Sequence, residues 1–381
     1  MQQNTKIIIK IYFACVFIIL SACDSDNFYR TRKLMKGGKL LNNITKPYIL
    51  NPLTAFNNSD SLESFVYSVH VNFPNDTTNY NFLVDVGSPT VISEQLAKKL
   101  QIEILYNFKD YSFENHPNFD IGIIPSLKIQ ELSWQNIAVI IDKKIGDNFF
   151  CHSELVGATF RKNLTLSSQK INNSDSCEMS HQQAQNDKFK ISLPKLHGNN
   201  YDGIIGANLM QHAIWQFKWC GKRQSKQIIL HIQKPDLQGY TSFPFVRNLY
   251  RIPKFHAFFN HFKQKQIFHL STGFAKGVKI PIVEWQRSAW LGFDSLHANC
   301  KMYQDVGFDN FLIQKEKNAF QPQKDTIYEV MMPLLRLDTV KIHNLPTIFG
   351  QGNAWHVGNA FWKQFDLLID WNERKFYLKK L

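Results

Sequence analysis

The sequence predicts a mainly β fold laid out as two tandem, pseudo-symmetric halves. Three observations carry that expectation. Apolar residues alternate with polar ones, or run in short blocks rich in Ile, Val and Phe, which are strand patterns. Three segments of the first half recur, in the same order, in the second. Aromatic residues reach 14%, with 31 Phe in 381 residues, a composition suited to pleated surfaces. The length fits about two domains of roughly 150 residues. With 44% apolar and 20% charged residues, the balance is that of a globular chain. Collagen, coiled coils, multi-span membrane proteins and small disulfide scaffolds are excluded. The formal charge is +13, mostly from Lys scattered along the chain. With no arginine run and no RNA-type motif, a solvated basic surface is expected and no nucleic-acid partner.

The amino terminus reads as an address. Lys6 and Lys10 precede the apolar run Ile11–Leu20, which is short for a membrane span. Leu20-Ser21-Ala22-Cys23 then resembles a bacterial lipobox. The resemblance implies a lipoprotein signal peptide over residues 1–22 and acylation of Cys23. Its acyl chains, palmitate among them, would anchor the protein to a lipid bilayer of the bacterial cell envelope, on the periplasmic side or the cell surface. Residues 23–55 are expected to act as a tether. Of the six Cys, Cys151, Cys177, Cys220 and Cys300 remain for an oxidising compartment, where disulfides are permitted. Four Cys allow three connectivities. Cys151 with Cys177 is the preferred pair because both lie in one polar segment. No CxxC spacing occurs, so zinc and thioredoxin-type chemistry lack support, and no metal or cofactor is expected.

The repeat defines the halves. Ser64–Val71, a polar turn over Asn75–Asn79, and Asn81–Val84 lead into Asp85-Val86-Gly87-Ser88; Lys254–Asn260 and Gln266–Leu270 lead into Ser271-Thr272-Gly273-Phe274. The segment Leu127–Ile137 aligns without a gap on Leu335–Leu345. Ile204-Ile205-Gly206 through Trp219 matches His356-Val357-Gly358 through Trp371. The three offsets are 186 (85 to 271), 208 (127 to 335) and 152 (206 to 358). Residues 56–235 and 236–381 therefore form two equivalent units. The first carries an extra Ser/Asn/Gln-rich loop over 143–200. Gly87 and Gly273 permit tight turns where a neighbouring side chain faces inward, and Gly206 and Gly358 permit close backbone approach. Short helices are expected at Glu94–Leu100 and just after Gly206 and Gly358.

Phe82-Leu83-Val84-Asp85-Val86-Gly87-Ser88 resembles the first catalytic turn of pepsin-like and retropepsin-like aspartic peptidases, namely two apolar residues, Asp, Thr or Ser, Gly, then Ser, Ala or Thr. Ile204-Ile205-Gly206 and His356-Val357-Gly358 resemble the apolar-apolar-Gly element that packs behind each such turn. The resemblance covers about residues 60–142 and 201–381. It implies two pseudo-symmetric β-barrel lobes, a peptide-binding cleft between them and a flap hairpin near the Leu127–Ile141 strands.

The family's chemistry needs two carboxylates, one from each lobe, sharing a proton. Asp85 stands at the first position, and the repeat puts Ser271 at the second. A serine hydroxyl cannot share that proton or carry the compensating charge. Val86 also lacks the hydroxyl that in the family cross-links the turns, whereas Thr272 keeps it. The resemblance thus implies a membrane-anchored pseudopeptidase that binds extended peptide with hydrolysis impaired. The alternative is an active endopeptidase using Asp85 with another carboxylate, for which Asp202, Asp338, Asp366 and Glu284 are the candidates. Trp215, Trp219, Trp362 and Trp371 are expected in the core. His256, His261 and His269 are expected on the surface. No GxSxG, HExxH, Walker or GxGxxG run supports a serine hydrolase, zinc protease or nucleotide-binding reading.

Overall fold

The computed structural model describes residues 26–42, 46–50, 52–57, 64–74, 76–109, 118–142, 201–219, 227–259, 265–274, 276–284, 301–305, 312–314, 326–350 and 354–381. The signal segment, Cys23, the 143–200 loop, Cys151 and Cys177 lie outside the described residues.

The chain is mainly β. Helix α1 covers residues 26–36. It is followed by β1 (Lys39–Leu40), β2 (Tyr48–Leu50), β3 (Leu53–Asn57), β4 (Ser64–Phe73), β5 (Asp76–Asp85) and β6 (Val91–Ser93). Helix α2 (Glu94–Lys99) comes next, then β7 (Ile104–Lys109), β8 (Asn118–Ile129), β9 (Leu132–Asp142) and β10 (Gly203–Gly206). The single-turn helix α3 (Ala207–Met210), β11 (Ile214–Lys218) and β12 (Gln227–His231) complete the first half. The second half opens with β13 (Thr241–Pro244), β14 (Val246–Arg247), β15 (Pro253–Phe259), β16 (Gln266–Leu270) and β17 (Val278–Pro281). It continues with β18 (Lys301–Asp305), β19 (Leu312–Gln314), β20 (Thr326–Leu337), β21 (Val340–Gly350) and β22 (Trp355–Val357). Helix α4 (Asn359–Trp362), β23 (Phe365–Asp370) and β24 (Lys375–Lys380) end the chain.

Two of the three sheets close on themselves. In the first, β4, β5, β10, β6, β9 and β8 pair in that order, and β8 returns to β4. In the second, β15, β16, β22, β17, β21 and β20 do the same, and β20 returns to β15. The parallel pairs also correspond: β5 with β10 and β6 with β9 in the first ring, β16 with β22 and β17 with β21 in the second. Closure removes the open edges that a flat sheet of this size would expose.

The ungapped alignment of the two hairpin segments extends to backbone detail. The tight turns pair Ile129 with Leu132 and Leu337 with Val340. Gln130 (φ 55°) and Asp338 (φ 49°) adopt left-handed conformations at equivalent turn positions. Asn136 (φ 53°) and Asn344 (φ 54°) repeat this inside the following strand, and Asn is among the few side chains that tolerate it.

A third sheet orders β13, β24, β23, β11, β12 and β2, joining strands from both halves. At its centre β11 and β23 run antiparallel, with Gln216 opposite Leu368. Those residues are equivalent under the 152-residue offset. Trp215, Phe217 and Trp219 stack along β11 and are buried with Trp362 and Trp371, as expected for core positions.

Local chemistry explains α2. Ser93 Oγ accepts from Leu96 N at 3.1 Å, Glu94 lies in the first turn, and Lys98 and Lys99 lie in the last. Three expectations need correcting. The polar turn is shorter than expected, because Asp76–Asn79 already belong to β5, where Asp76 accepts from Thr78 N and the Tyr80 hydroxyl. Where it is described, the 23–55 tether is built into the fold. Helix α1 lies within it, β1 pairs with β9 and β2 pairs with β12. Finally, His269 is not a simple surface histidine; it stands opposite His356, with ring centroids 5.0 Å apart.

Candidate active site

The site forms where β5 and β16 end. Beyond Asp85 the chain turns through Val86-Gly87-Ser88, and Ser88 N reaches back to the Asp85 carbonyl at 3.3 Å. Strand β10 runs parallel to β5 with Gly206 beside Asp85. A Cβ on Gly206 would lie 2.0 Å from the Pro89 carbonyl carbon, so only glycine fits. In the second ring, Ser271 N donates to the Val357 carbonyl at 3.0 Å. A Cβ on Gly358 would lie 2.4 Å from the Phe274 carbonyl oxygen.

The two turns meet face to face. A Cβ on Gly87 would lie 2.7 Å from Ser271 Cβ, and one on Gly273 would lie 2.7 Å from Asp85 Cγ. Asp85 Oδ1 accepts four hydrogen bonds: from Gly87 N (2.8 Å), Gly273 N (2.9 Å), Thr272 N (3.0 Å) and the Ser271 hydroxyl (3.1 Å). The same hydroxyl accepts from Phe274 N at 3.2 Å. Asp85 Oδ2 is buried and has no partner. Both Asp85 and Ser271 are fully buried. The Ser88 hydroxyl turns away and donates to the Pro89 carbonyl.

One hydroxyl ties the turns together. Thr272 Oγ1 donates to the Val84 carbonyl at 3.0 Å and accepts from Val86 N at 3.1 Å. Val86 has no hydroxyl with which to return either bond.

Burial pushes the Asp85 carboxyl above its ordinary value, although the Gly273, Gly87, Ser271 and Thr272 donors each pull the other way. Complete desolvation outweighs them. The asymmetry between the two oxygens says where a proton goes. Oδ1 is saturated with donors and Oδ2 is bare, so the neutral acid carries its proton on Oδ2.

None of the four alternative carboxylates hydrogen-bonds to Asp85 or Ser271. Asp202 Oδ2 accepts from Asn81 N at 2.9 Å, and burial raises its pKa. Asp366 accepts from Gln216 Nε2 and the Tyr240 hydroxyl in the third sheet. Asp338 is exposed in the β20–β21 turn, and Glu284 follows β17. Among the described residues no group of His, Cys, Asp or Glu could hold a metal ion, and no helix is long and apolar enough to cross a membrane.

Three supports escaped the sequence reading. Asn208 accepts from Thr90 N at 2.6 Å and donates to the Ala138 carbonyl at 2.7 Å. In the second ring, Asn359 Nδ2 donates to the Thr272 carbonyl at 2.7 Å, and Trp362 Nε1 donates to the Ser271 and Val357 carbonyls. The available signal was an Asn within two residues of each structural glycine, opening a short helix.

No family model matches this chain, and no curated protein matches it either.

Proposed function

We propose that this protein is a two-lobed relative of the pepsin-like and retropepsin-like aspartic peptidases, held at a bacterial membrane by lipidated Cys23. In this reading residues 56–235 and 236–381 are the lobes, and the cleft between them binds peptide in extended form without efficient cleavage. One observation carries the reading: the Asp85 carboxyl faces the Ser271 hydroxyl at 3.1 Å, across a seam joining two equivalent rings. The equivalent strand order of the rings and the Thr272 bonds between the turns support it.

The chemistry follows from the missing charge. Peptide hydrolysis of this type needs one ionised carboxylate to take a proton from water and one neutral carboxyl to polarise the scissile carbonyl. Asp85, raised by burial, supplies the neutral group, and its enclosed Oδ2 can donate a proton to a peptide carbonyl once the two turns part to uncover it. Ser271 supplies no base near neutral pH. A peptide can thus be held by strand-like backbone bonding and by Asp85, while water stays unactivated. Active hydrolysis needs a second carboxylate, and among the described residues none hydrogen-bonds to Asp85.

The mature protein, incubated with a mixed peptide library between about pH 3 and 7, should retain peptides and leave them intact. Asp85→Ala should weaken retention. The double substitution Ser271→Asp with Val86→Thr should gain cleavage in acid. Efficient turnover by the unaltered protein that Asp85→Ala abolishes would overturn the pseudopeptidase reading. A folded double variant without turnover would count against pairing Ser271 with the missing carboxylate.

A further inference from the structure

No arginine run marks the sequence, yet the fold gathers four arginines from distant segments. Arg32 lies on α1, which is fastened by Thr31 Oγ1 to the Tyr106 hydroxyl (2.9 Å), by Gln211 Nε2 to the Met35 carbonyl (2.7 Å) and by His212 to the Gly37 carbonyl (3.0 Å). Arg247 ends β14, and its Nη1 donates to the Trp371 carbonyl. Arg251 sits in the turn before β15, where Asn248 Oδ1 accepts from Tyr250 N and Ile252 N. Its carbonyl accepts from Trp371 Nε1 at 3.2 Å. Arg374 lies in the β23–β24 turn, and its carbonyl accepts from Phe245 N at 2.9 Å. Trp371 thus bonds to both Arg247 and Arg251.

Arg251 is the anomaly. It is only 7% exposed, and its Nε is enclosed without an acceptor. Its charged neighbours are Arg247, Arg32 and Arg374, and burial together with these like charges pushes its pKa down to about 10. Burial, Arg374 and Arg32 lower Arg247 as well. The nearby carboxylates are engaged elsewhere. Asp370 accepts from Asn372 N and Glu373 N, while Glu373 binds Lys234 and the Tyr377 hydroxyl. Buried guanidinium groups are normally paired, and arginine is the side chain whose donors suit a phosphate.

We propose that Arg32, Arg247, Arg251 and Arg374 form a binding site for a phosphate oxyanion, filled by the headgroup phosphate of an anionic phospholipid. Position argues for that source. The described part of helix α1 starts three residues after Cys23, so at about 1.5 Å per helical residue and at most about 3.6 Å for each of the others Arg32 stands within roughly 20 Å of an anchor there. Exposed Phe28 and Tyr29 on the same helix suit a membrane interface, and Arg30, Lys33 and Lys36 add positive charge towards an anionic surface. The lipid source rests on the reading of Cys23 as acylated; the anion site does not.

The test uses the mature protein in detergent, titrated with water-soluble short-chain phosphatidylglycerol, short-chain phosphatidylcholine and inorganic phosphate, and read by calorimetry and thermal unfolding. Phosphatidylglycerol should bind saturably and more tightly than the other two. Arg251→Gln and the exposed-site variant Arg374→Gln should each weaken it about tenfold. Arg251→Gln should also raise the unfolding temperature without ligand, since it removes a buried like charge, whereas a merely structural arginine would lower it. Tighter binding of inorganic phosphate would overturn the lipid source. Absent binding, or binding unchanged in both variants, would overturn the site. The mass of the amino-terminal peptide reports acylation of Cys23 independently.

Discussion

A lateral row of residues crosses each ring just before the paired turns, and the two rows differ in chemistry at every position but one, Ile140 and Ile348. In the first ring it runs Ser68, Leu83, Ile204, Val91, Ile140 and Ile121. In the second it runs Lys254, His269, His356, Lys279, Ile348 and Glu329. Every member of the first row is buried, and all but Ser68 are aliphatic. The second row also buries His356, Lys279 and Ile348. Burial, then His269, Lys279 and Lys254, holds the His356 imidazole well below its ordinary value. Strand pairing and closure need only backbone bonds and a period of two. The same ring can therefore be lined with hydrocarbon in one half and with titratable groups in the other. The turns show the same divergence, since one keeps a carboxyl and the other a cross-linking hydroxyl.

The largest expected effects test whether the shared backbone is as demanding in both rings. Gly206→Ala forces a methyl into the Pro89 backbone, and Gly358→Ala forces one into the Phe274 and Lys276 carbonyls. In neither case can a flexible side chain move aside. Overpacking against backbone should cost about 3 kcal/mol at either site, with Gly206 the worse because its clash is closer. Chemical denaturation measures both; a tolerated Gly358→Ala beside a disruptive Gly206→Ala would break the equivalence.

A smaller effect separates the two turns. Thr272→Val strands Val86 N and the Val84 carbonyl, both buried, and should cost about 2 kcal/mol. Val86→Thr restores a hydroxyl to the other turn and should change stability by less than about 1 kcal/mol. Equal losses would mean that the Thr272 hydroxyl contributes no more than a hydroxyl at position 86 disturbs, and the asymmetry of the turns would carry no stability.

What was legible in the sequence was what short range dictates. The strands around Asp85 and Ser271, the Leu127 hairpin and the helices after Gly206 and Gly358 follow from period-two alternation and from glycines at close backbone approaches. The Asp85–Ser271 pairing came from a fixed offset between repeats. The third sheet, the His269–His356 row and the arginine cluster depend on lateral register between strands far apart in sequence, which no local pattern encodes. Arg32 and Arg374 come within electrostatic reach of Arg251 only in the folded chain. Helix α1 leaves no periodic mark in the sequence because its apolar contacts, through Leu34 and Met35, are too few to form a stripe.

The row itself gives the last and gentlest test. His356 and His269 both have lowered folded-state pKa values, His269 to about 3 through burial and then Lys254. Below the ordinary value of 6.5 the unfolded chain takes up protons that the folded ring refuses. Stability is therefore full above pH 6.5 and falls as the pH drops towards the folded values, by up to about 1.4 kcal/mol per pH unit for a buried imidazole. Asp85 works in the opposite sense. Its raised folded value favours the native state in acid, and that contribution is lost as the pH rises through it. Giving the second ring the residues of the first, His269→Leu with His356→Ile, should remove the row's share of the acid sensitivity between about pH 7.5 and 5.5 and leave that of His212 and His231, which burial also lowers. Parallel stability curves for the two proteins over that range would mean that the imidazoles accept protons within the folded ring, and the contrast between the rows would be one of shape alone.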